Sequence, residues 1–291
     1  MTLRPVGALL LVLVLTGCAS GHHWPEPEAH AADLPPRVEL DNTPFHAQER
    51  FQCGPASLAM MLNARELPAT PDTLKERVYL PERGGTLQVE MVAAARDRGL
   101  VVYPLEAKLE ALMRETEAGN PVLVMQNLRF DWWPQWHYAV VIGYDRGDND
   151  ILLHTDTRPA HGQPMRAFMN SWERADHWAM VMTAPDQLPA TAQPLTWLSA
   201  ASDLESTGRL SAAATAYEAA LEAWPEEPAA RFGLGNVAYQ RGDHDQALNH
   251  FFQLTLSHPE FEPAWHNLGI LLEELGCSSG NKASPFLPRA C

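Results

Sequence analysis

Cys53 stands directly before Gly54-Pro55 and an apolar run, Ala56-Ser57-Leu58-Ala59-Met60-Met61-Leu62. Proline is tolerated in a first helical turn, where its missing N–H costs nothing, so the spacing predicts a helix beginning at or just after Cys53. Unpaired backbone N–H groups and the positive end of the helix dipole favour an anion there. A thiol so placed is expected to ionise more readily than a free one, and the thiolate is the nucleophile. Most single cysteines are small buried hydrophobes, so partners must decide the matter. His137 opens a strand-like run from Trp136 to Tyr144, which turns through residues 145–150 into Ile151 to Asp156. With the turn centred near Gly147, Asp156 falls opposite His137, or opposite Ala139 and diagonal to the histidine on the same face. A slip of one residue sends it to the other face. Imidazole and carboxylate so placed are the base and orienter of a cysteine or serine hydrolase. Failing that, His137 is a satisfied core histidine and Asp156 a strand-end residue.

The elements that must position these groups read as follows. Val38 to Leu40 is a short strand, the Cys53 helix ends near Asn63, and Leu67 to Pro71 is a proline-rich connection. Thr86 to Arg98 is a helix with Thr86 as its cap and Gly99 as its stop. Leu100 to Tyr103 is a strand, Glu106 to Ala118 a helix closed by Gly119, and Pro121 to Met125 a strand ahead of the hairpin. Phe168, Trp172 and residues 178–182 close the domain as core. Helices first and an antiparallel hairpin later define an α+β class. Trp132, Trp133 and Trp136 crowd the approach to His137, and either wall a substrate groove or cap the hairpin core.

Gln48, four intervening residues, Cys-Gly-Pro-Ala-Ser-Leu-Ala-Met, then His137-Tyr-Ala-Val-Val and an aspartate on the next strand resemble the C39-like cysteine peptidases of papain type. The resemblance spans residues 37–185 and extends to bacterial lipoproteins that join such a domain to tetratricopeptide repeats. It implies N-terminal helices packed on an antiparallel sheet and a peptide or protein substrate. It makes Cys53 the nucleophile, His137 the general base, Asp156 the third catalytic member and Gln48 an oxyanion donor beside the Cys53 N–H. Two departures stand out. Gln48 lies five residues before the cysteine where relatives usually place glutamine six before, leaving Gln52 as a weaker candidate. Thr157 follows the aspartate where relatives commonly have proline. No cofactor or metal is implied, and neither metal-ligand spacing nor a phosphate-binding glycine loop occurs.

The chain opens with Arg4, an apolar run to Leu15 and Leu15-Thr16-Gly17-Cys18. A positive start, a short apolar stretch and small residues describe a secretory signal peptide over residues 1–17. The last four residues resemble the bacterial lipobox, which implies lipidation of Cys18. Ala19 after it implies a membrane-anchored lipoprotein at the outer membrane, facing the periplasm. Residues 18–36, with Pro25, Pro27, Pro35 and Pro36, read as a tether. Net charge is −15, and losing residues 1–17 removes only the cation Arg4, which argues against nucleic acid as a partner. Of four cysteines, Cys277 and Cys291 fall in the final stretch and Cys18 on the anchor, so Cys53 has no partner for a disulfide within its own domain.

Residues 186–196 form a linker. Beyond it a 34-residue period aligns Trp197 with Arg231 and Trp265, Ala201 with Gly235 and Gly269, Gly208 with Gly242 and Gly276, and Tyr217 with Phe251. Small residues at helix crossings and aromatics in the seam resemble the tetratricopeptide repeat over 197–276, with two full repeats and a partial third. So short a stack is expected to lean on the first domain or on a partner protein, and it implies recruitment of such a partner. The tail 277–291 is irregular. The alternatives to a peptidase are a peptide-binding adaptor on the same fold and a thiol amidase or acyl transferase acting on a non-peptide amide.

Overall fold

The computed structural model describes residues 33–48 and 52–276. The signal peptide, the Cys18 lipidation site, most of the tether and the tail with Cys277 and Cys291 lie outside these residues. In chain order the elements are β1 (Arg37–Glu39), α1 (Cys53–Asn63), α2 (Pro71–Val78), the hairpin β2 (Tyr79–Leu80) and β3 (Gly85–Thr86), α3 (Gln88–Asp97), β4 (Val101–Pro104) and α4 (Leu109–Glu117). There follow β5 (Val122–Asn127), β6 (Trp136–Asp145), β7 (Asp150–Thr155), β8 (Arg158–Pro164), α5 (Met165–Glu173) and β9 (Ala179–Thr183). Five helices complete the chain: α6 (Pro194–Ser206), α7 (Leu210–Ala223), α8 (Pro228–Gln240), α9 (His244–Ser257) and α10 (Glu262–Glu274).

An antiparallel sheet in the order β4-β9-β5-β6-β7-β8, with β1 paired to the far end of β6, separates two apolar layers. Helices α1 to α3 cover one face with Leu58, Met60, Met61, Leu62, Leu74 and Met91. Helices α4 and α5 cover the other with Leu112, Phe168 and Trp172. Every residue of α1 from Gly54 to Leu62 is buried. A helix with no polar face can only sit inside the protein, so α1 is the central helix of its layer. Its first turn is fixed by contact: a Cβ on Gly54 would lie 2.6 Å from Cβ and Oγ1 of Thr86 in β3. The architecture is the α+β arrangement expected from the sequence.

Two local expectations change, and one strand is new. Thr86 does not cap α3, which starts at Gln88 after Leu87; it pairs with Tyr79 in a hairpin, its side chain pressed on Gly54. The connection that ends at Pro71 leads straight into α2, where Pro71 is the first helical residue. Thr70 and Thr73 there form a reciprocal cap. Strand β8, with two prolines and mostly exposed or half-buried residues, lies at the sheet edge, where a missing N–H is harmless.

The repeat helices rest on the sheet. Trp197, fully buried, shares a cluster with Val101 and Tyr103 of β4. Glu115, buried on α4, accepts from the N–H groups of Ala190 and Thr191 and from the Thr191 hydroxyl, tying the linker down. Arg96 pairs with Asp203, and Arg209 with Asp97 at 2.5 Å. Trp265, at the repeat position of Trp197, is 51% exposed; no described helix follows α10 to cover it.

A bulge at Ile142 sets the register of the hairpin. Asp145 faces Asp150, Tyr144 faces Ile151 and Gly143 faces Leu152, but beyond the bulge Val141 faces Leu153 and Val140 faces His154. Gly143 is required there, because a Cβ would stand 1.9 Å from the carbonyl oxygen of Val38 in β1. Gly143→Ala is therefore expected to force β1 off β6 and to lower unfolding free energy by about 3 kcal/mol, read from denaturant melts.

Candidate active site

Four stretches meet at the start of α1. A cleft of about 680 Å³ is lined by Gln48 and Cys53, by residues 83–87 from the β2–β3 hairpin, by residues 135–138 at the start of β6, and by Asp156. All four residues proposed for the chemistry are thus brought to one cleft. Gln52 is not among the lining residues; it is the N-cap residue of α1, and its side chain makes no capping bond.

His137 is buried, and its Nε2 lies 2.7 Å from Thr155 Oγ1 and 3.6 Å from Asp156 Oδ1. This corrects the hairpin register. Without the bulge, the pairing near the turn would set Asp156 opposite Ala139. The one-residue shift carries Thr155 into that place instead, diagonal to His137 on the same face. Asp156 lies just past the end of β7 with φ of +49°, and this left-handed residue swings its carboxylate back toward the ring. The hydroxyl of Thr155, which sequence reasoning passed over, is therefore the direct hydrogen-bond partner of the imidazole. Asp156 is the charge behind it, and Arg158 binds the other carboxylate oxygen at 2.8 Å. Thr155 could have been noticed only as the neighbour of a suspected aspartate.

Gln48 is buried beside Cys53. Its Nε2 donates to Ser57 Oγ at 3.2 Å and to the Tyr138 carbonyl at 3.3 Å, and its Oε1 is buried without a partner. Its backbone N–H donates to the Asp156 carbonyl at 2.7 Å, so the strand end that carries the aspartate is tied to the loop that carries the glutamine. The Tyr138 hydroxyl donates to the Thr86 carbonyl, linking the two walls of the cleft.

Burial pushes the Cys53 thiol up from its ordinary value. The backbone N–H groups of Tyr138, Gly54 and Cys53 itself pull it down without cancelling the rise, and Asp156 adds to it. The expectation of an easily ionised thiol is reversed here, because desolvation of a thiolate outweighs the few N–H groups at a helix end. Burial likewise pushes His137 down, with Asp156 opposing and Arg158 assisting. No hydrogen bond joins Cys53 to His137, and the resting pair is a neutral thiol and a neutral imidazole. In the tautomer that carries its proton on Nε2 and donates it to Thr155, Nδ1 is the nitrogen left to accept a proton.

Of the three tryptophans, only Trp136 lines the cleft. Trp132 and Trp133 are 78% and 61% exposed on the loop between β5 and β6, so they do not cap the hairpin core. That loop is pinned at its base by Asn127, whose Oδ1 accepts from the N–H groups of Arg129 and Gln135.

Residues 40–180 match the model of the Peptidase_C39 like family, and residues 198–263 match a tetratricopeptide repeat model. Among solved structures, a candidate C39-like peptidase from Bacillus anthracis is similar at 18% identity, over 50% of this chain and 97% of that one, with a TM-score of 0.44. No curated protein matches the chain. The first domain thus matches a C39-like peptidase family model over residues 40–180. The protein joins it to tetratricopeptide repeats.

The charges around His137 fix the sign of two changes in its titration. Asp156→Asn removes the one charge that favours the imidazolium and should move the His137 midpoint further below the ordinary value of about 6.5. Arg158→Gln should move it upward. Proton-detected imidazole titration reads both.

Proposed function

We propose that the chain is a cysteine peptidase, anchored through lipid on Cys18 to the outer membrane and facing the periplasm. Its repeats recruit a protein partner or substrate. The observation that carries this reading is that Gln48, Cys53, His137 and Asp156, distant in sequence, line one cleft at a helix N-terminus. As the Cys53 sulfur attacks the carbonyl carbon, His137 Nδ1 takes the thiol proton, and the imidazolium is held at Nε2 by Thr155 and Asp156. The oxyanion receives the Cys53 backbone N–H and Gln48 Nε2, which gives up one of its resting bonds to do so. His137 then returns the proton to the departing amine and leaves a thioester. Water, deprotonated by the same imidazole, cleaves the thioester to a carboxylate and restores the thiol. Trp136 walls the groove, with Trp132 and Trp133 further along the same loop.

A second reading, a peptide-binding adaptor, draws on one observation: both amide hydrogens of Gln48 are spent on internal bonds. The test separating the two is alkylation of Cys53 by iodoacetamide across pH. It uses chain lacking residues 1–18, with Cys277 and Cys291 changed to serine. A peptidase should show a rate that climbs as His137 loses its proton, below pH 6.5 because burial lowers its pKa. His137→Ala should then slow alkylation at pH 7 about tenfold or more. Alkylation that rises only at ordinary thiol pH and ignores His137 would leave the adaptor.

A further inference from the structure

The cleft around Cys53 has two side chains of fixed charge in its lining, Asp156 and Arg83. Asp156 is paired with Arg158 at 2.8 Å. Among the described residues Arg83 makes no hydrogen bond or ion pair with any group, and it is exposed in a lining that also holds Gln135 and Trp136. Its position is built. It ends the short turn Pro81–Arg83, which Gly84 closes in the left-handed region, its N–H donating to the Pro81 carbonyl at 3.1 Å. The strands flanking the turn pair Leu80 with Gly85 and Tyr79 with Thr86. Thr86 in turn packs on Gly54, the neighbour of the nucleophile, and accepts from the Tyr138 hydroxyl. The guanidinium therefore stands three residues from a fixed contact at the head of α1. Gly84 and Gly85 leave the wall between them bare of side chains. Arg83 is thus a cation in the cleft lining that has no partner among the described residues and is open to an anionic ligand.

We propose that Arg83 is a carboxylate-binding subsite, and that the substrate presents a carboxylate close to the bond that is cut. The inference rests on the peptidase reading for what is cut, but not for the binding of the anion. The guanidinium fork matches a carboxylate with two parallel N–H···O bonds, and an arginine with no internal partner gives up none to make them. The carboxylate has two sources, an acidic side chain of the substrate or its free C-terminus. Arg83 acts as a specificity determinant and takes no part in moving the proton.

Two alkylating agents that differ in charge test this at the nucleophile itself. Iodoacetate carries a carboxylate and iodoacetamide does not, so the ratio of their rates at Cys53 reports cationic potential in the cleft independently of thiol ionisation. Arg83→Gln should lower that ratio at least threefold, and Arg83→Lys should restore part of it. Added salt should shrink the wild-type advantage. An equal ratio in wild type and Arg83→Gln would overturn the proposal. Loss of the His137 dependence of iodoacetamide would overturn the peptidase reading instead.

The source is read from one sequence selected from a pool of quenched-fluorescent peptides cleaved by the wild-type chain, then resynthesised in two altered forms. A fall in kcat/KM of about tenfold when an internal Glu becomes Gln identifies a side chain. The same fall when the C-terminus is amidated identifies the terminal carboxylate. Either loss should vanish in Arg83→Gln, and indifference of the wild type to both changes would refute the assignment.

Discussion

Desolvation at the head of α1 is the constraint from which the site follows. A helix buried from Gly54 to Leu62 leaves the group at its first position half-buried, so Cys53 meets backbone N–H groups and the walls of a cleft. In that setting both charged forms are disfavoured, the thiolate and the imidazolium alike. The pair rests neutral, and in the proposed peptidase the proton moves only when a substrate carbonyl offers the developing charge a better place. Three N–H groups moderate this penalty without reversing it.

The second dependence runs along β6. This strand pairs with β5, β7 and β1, and at its start it delivers Trp136, His137 and Tyr138 to the cleft. The bulge at Ile142 decides which residue of the next strand meets the imidazole. Because side chains alternate with period two, one extra residue exchanges Asp156 for Thr155 at the strand position beside His137. The aspartate still comes within 3.6 Å of the imidazole by leaving the strand and turning left-handed, at the cost of exposure and of sharing its charge with Arg158. The imidazole is thus held by a neutral hydroxyl in contact and a screened carboxylate behind it.

The repeats belong to the same body. Two repeats and a single helix cannot bury enough surface alone, and β4 supplies the missing apolar face to Trp197. Glu115 and Tyr103 fix the linker by hydrogen bonds to its backbone, leaving little freedom between the cleft and the helices. The opposite end of the stack has no such support among the described residues, and Trp265 stays half exposed where Trp197 is sealed.

Much of this was legible in the chain itself. The Gly-Pro after Cys53 and the unbroken apolar run fix a helix start at a thiol, since proline position and side-chain hydropathy are local properties. The two apolar β-runs and the 34-residue period are local in the same sense, and they gave the α+β class and the stacked helices. Tertiary structure alone decided the rest. Gly143, an isolated glycine in the strand run, hints at a bulge, but only the approach of β1, whose Val38 carbonyl leaves no room for a Cβ there, shows why glycine is needed and which way the register shifts. The hairpin that brings Arg83 to the cleft is held by Thr86 against Gly54, a contact between segments thirty residues apart that turned an apparent helix cap into a strand. The protonation of Cys53 was misjudged for the same reason: a helix terminus can be read from sequence, but its burial depends on everything packed around it.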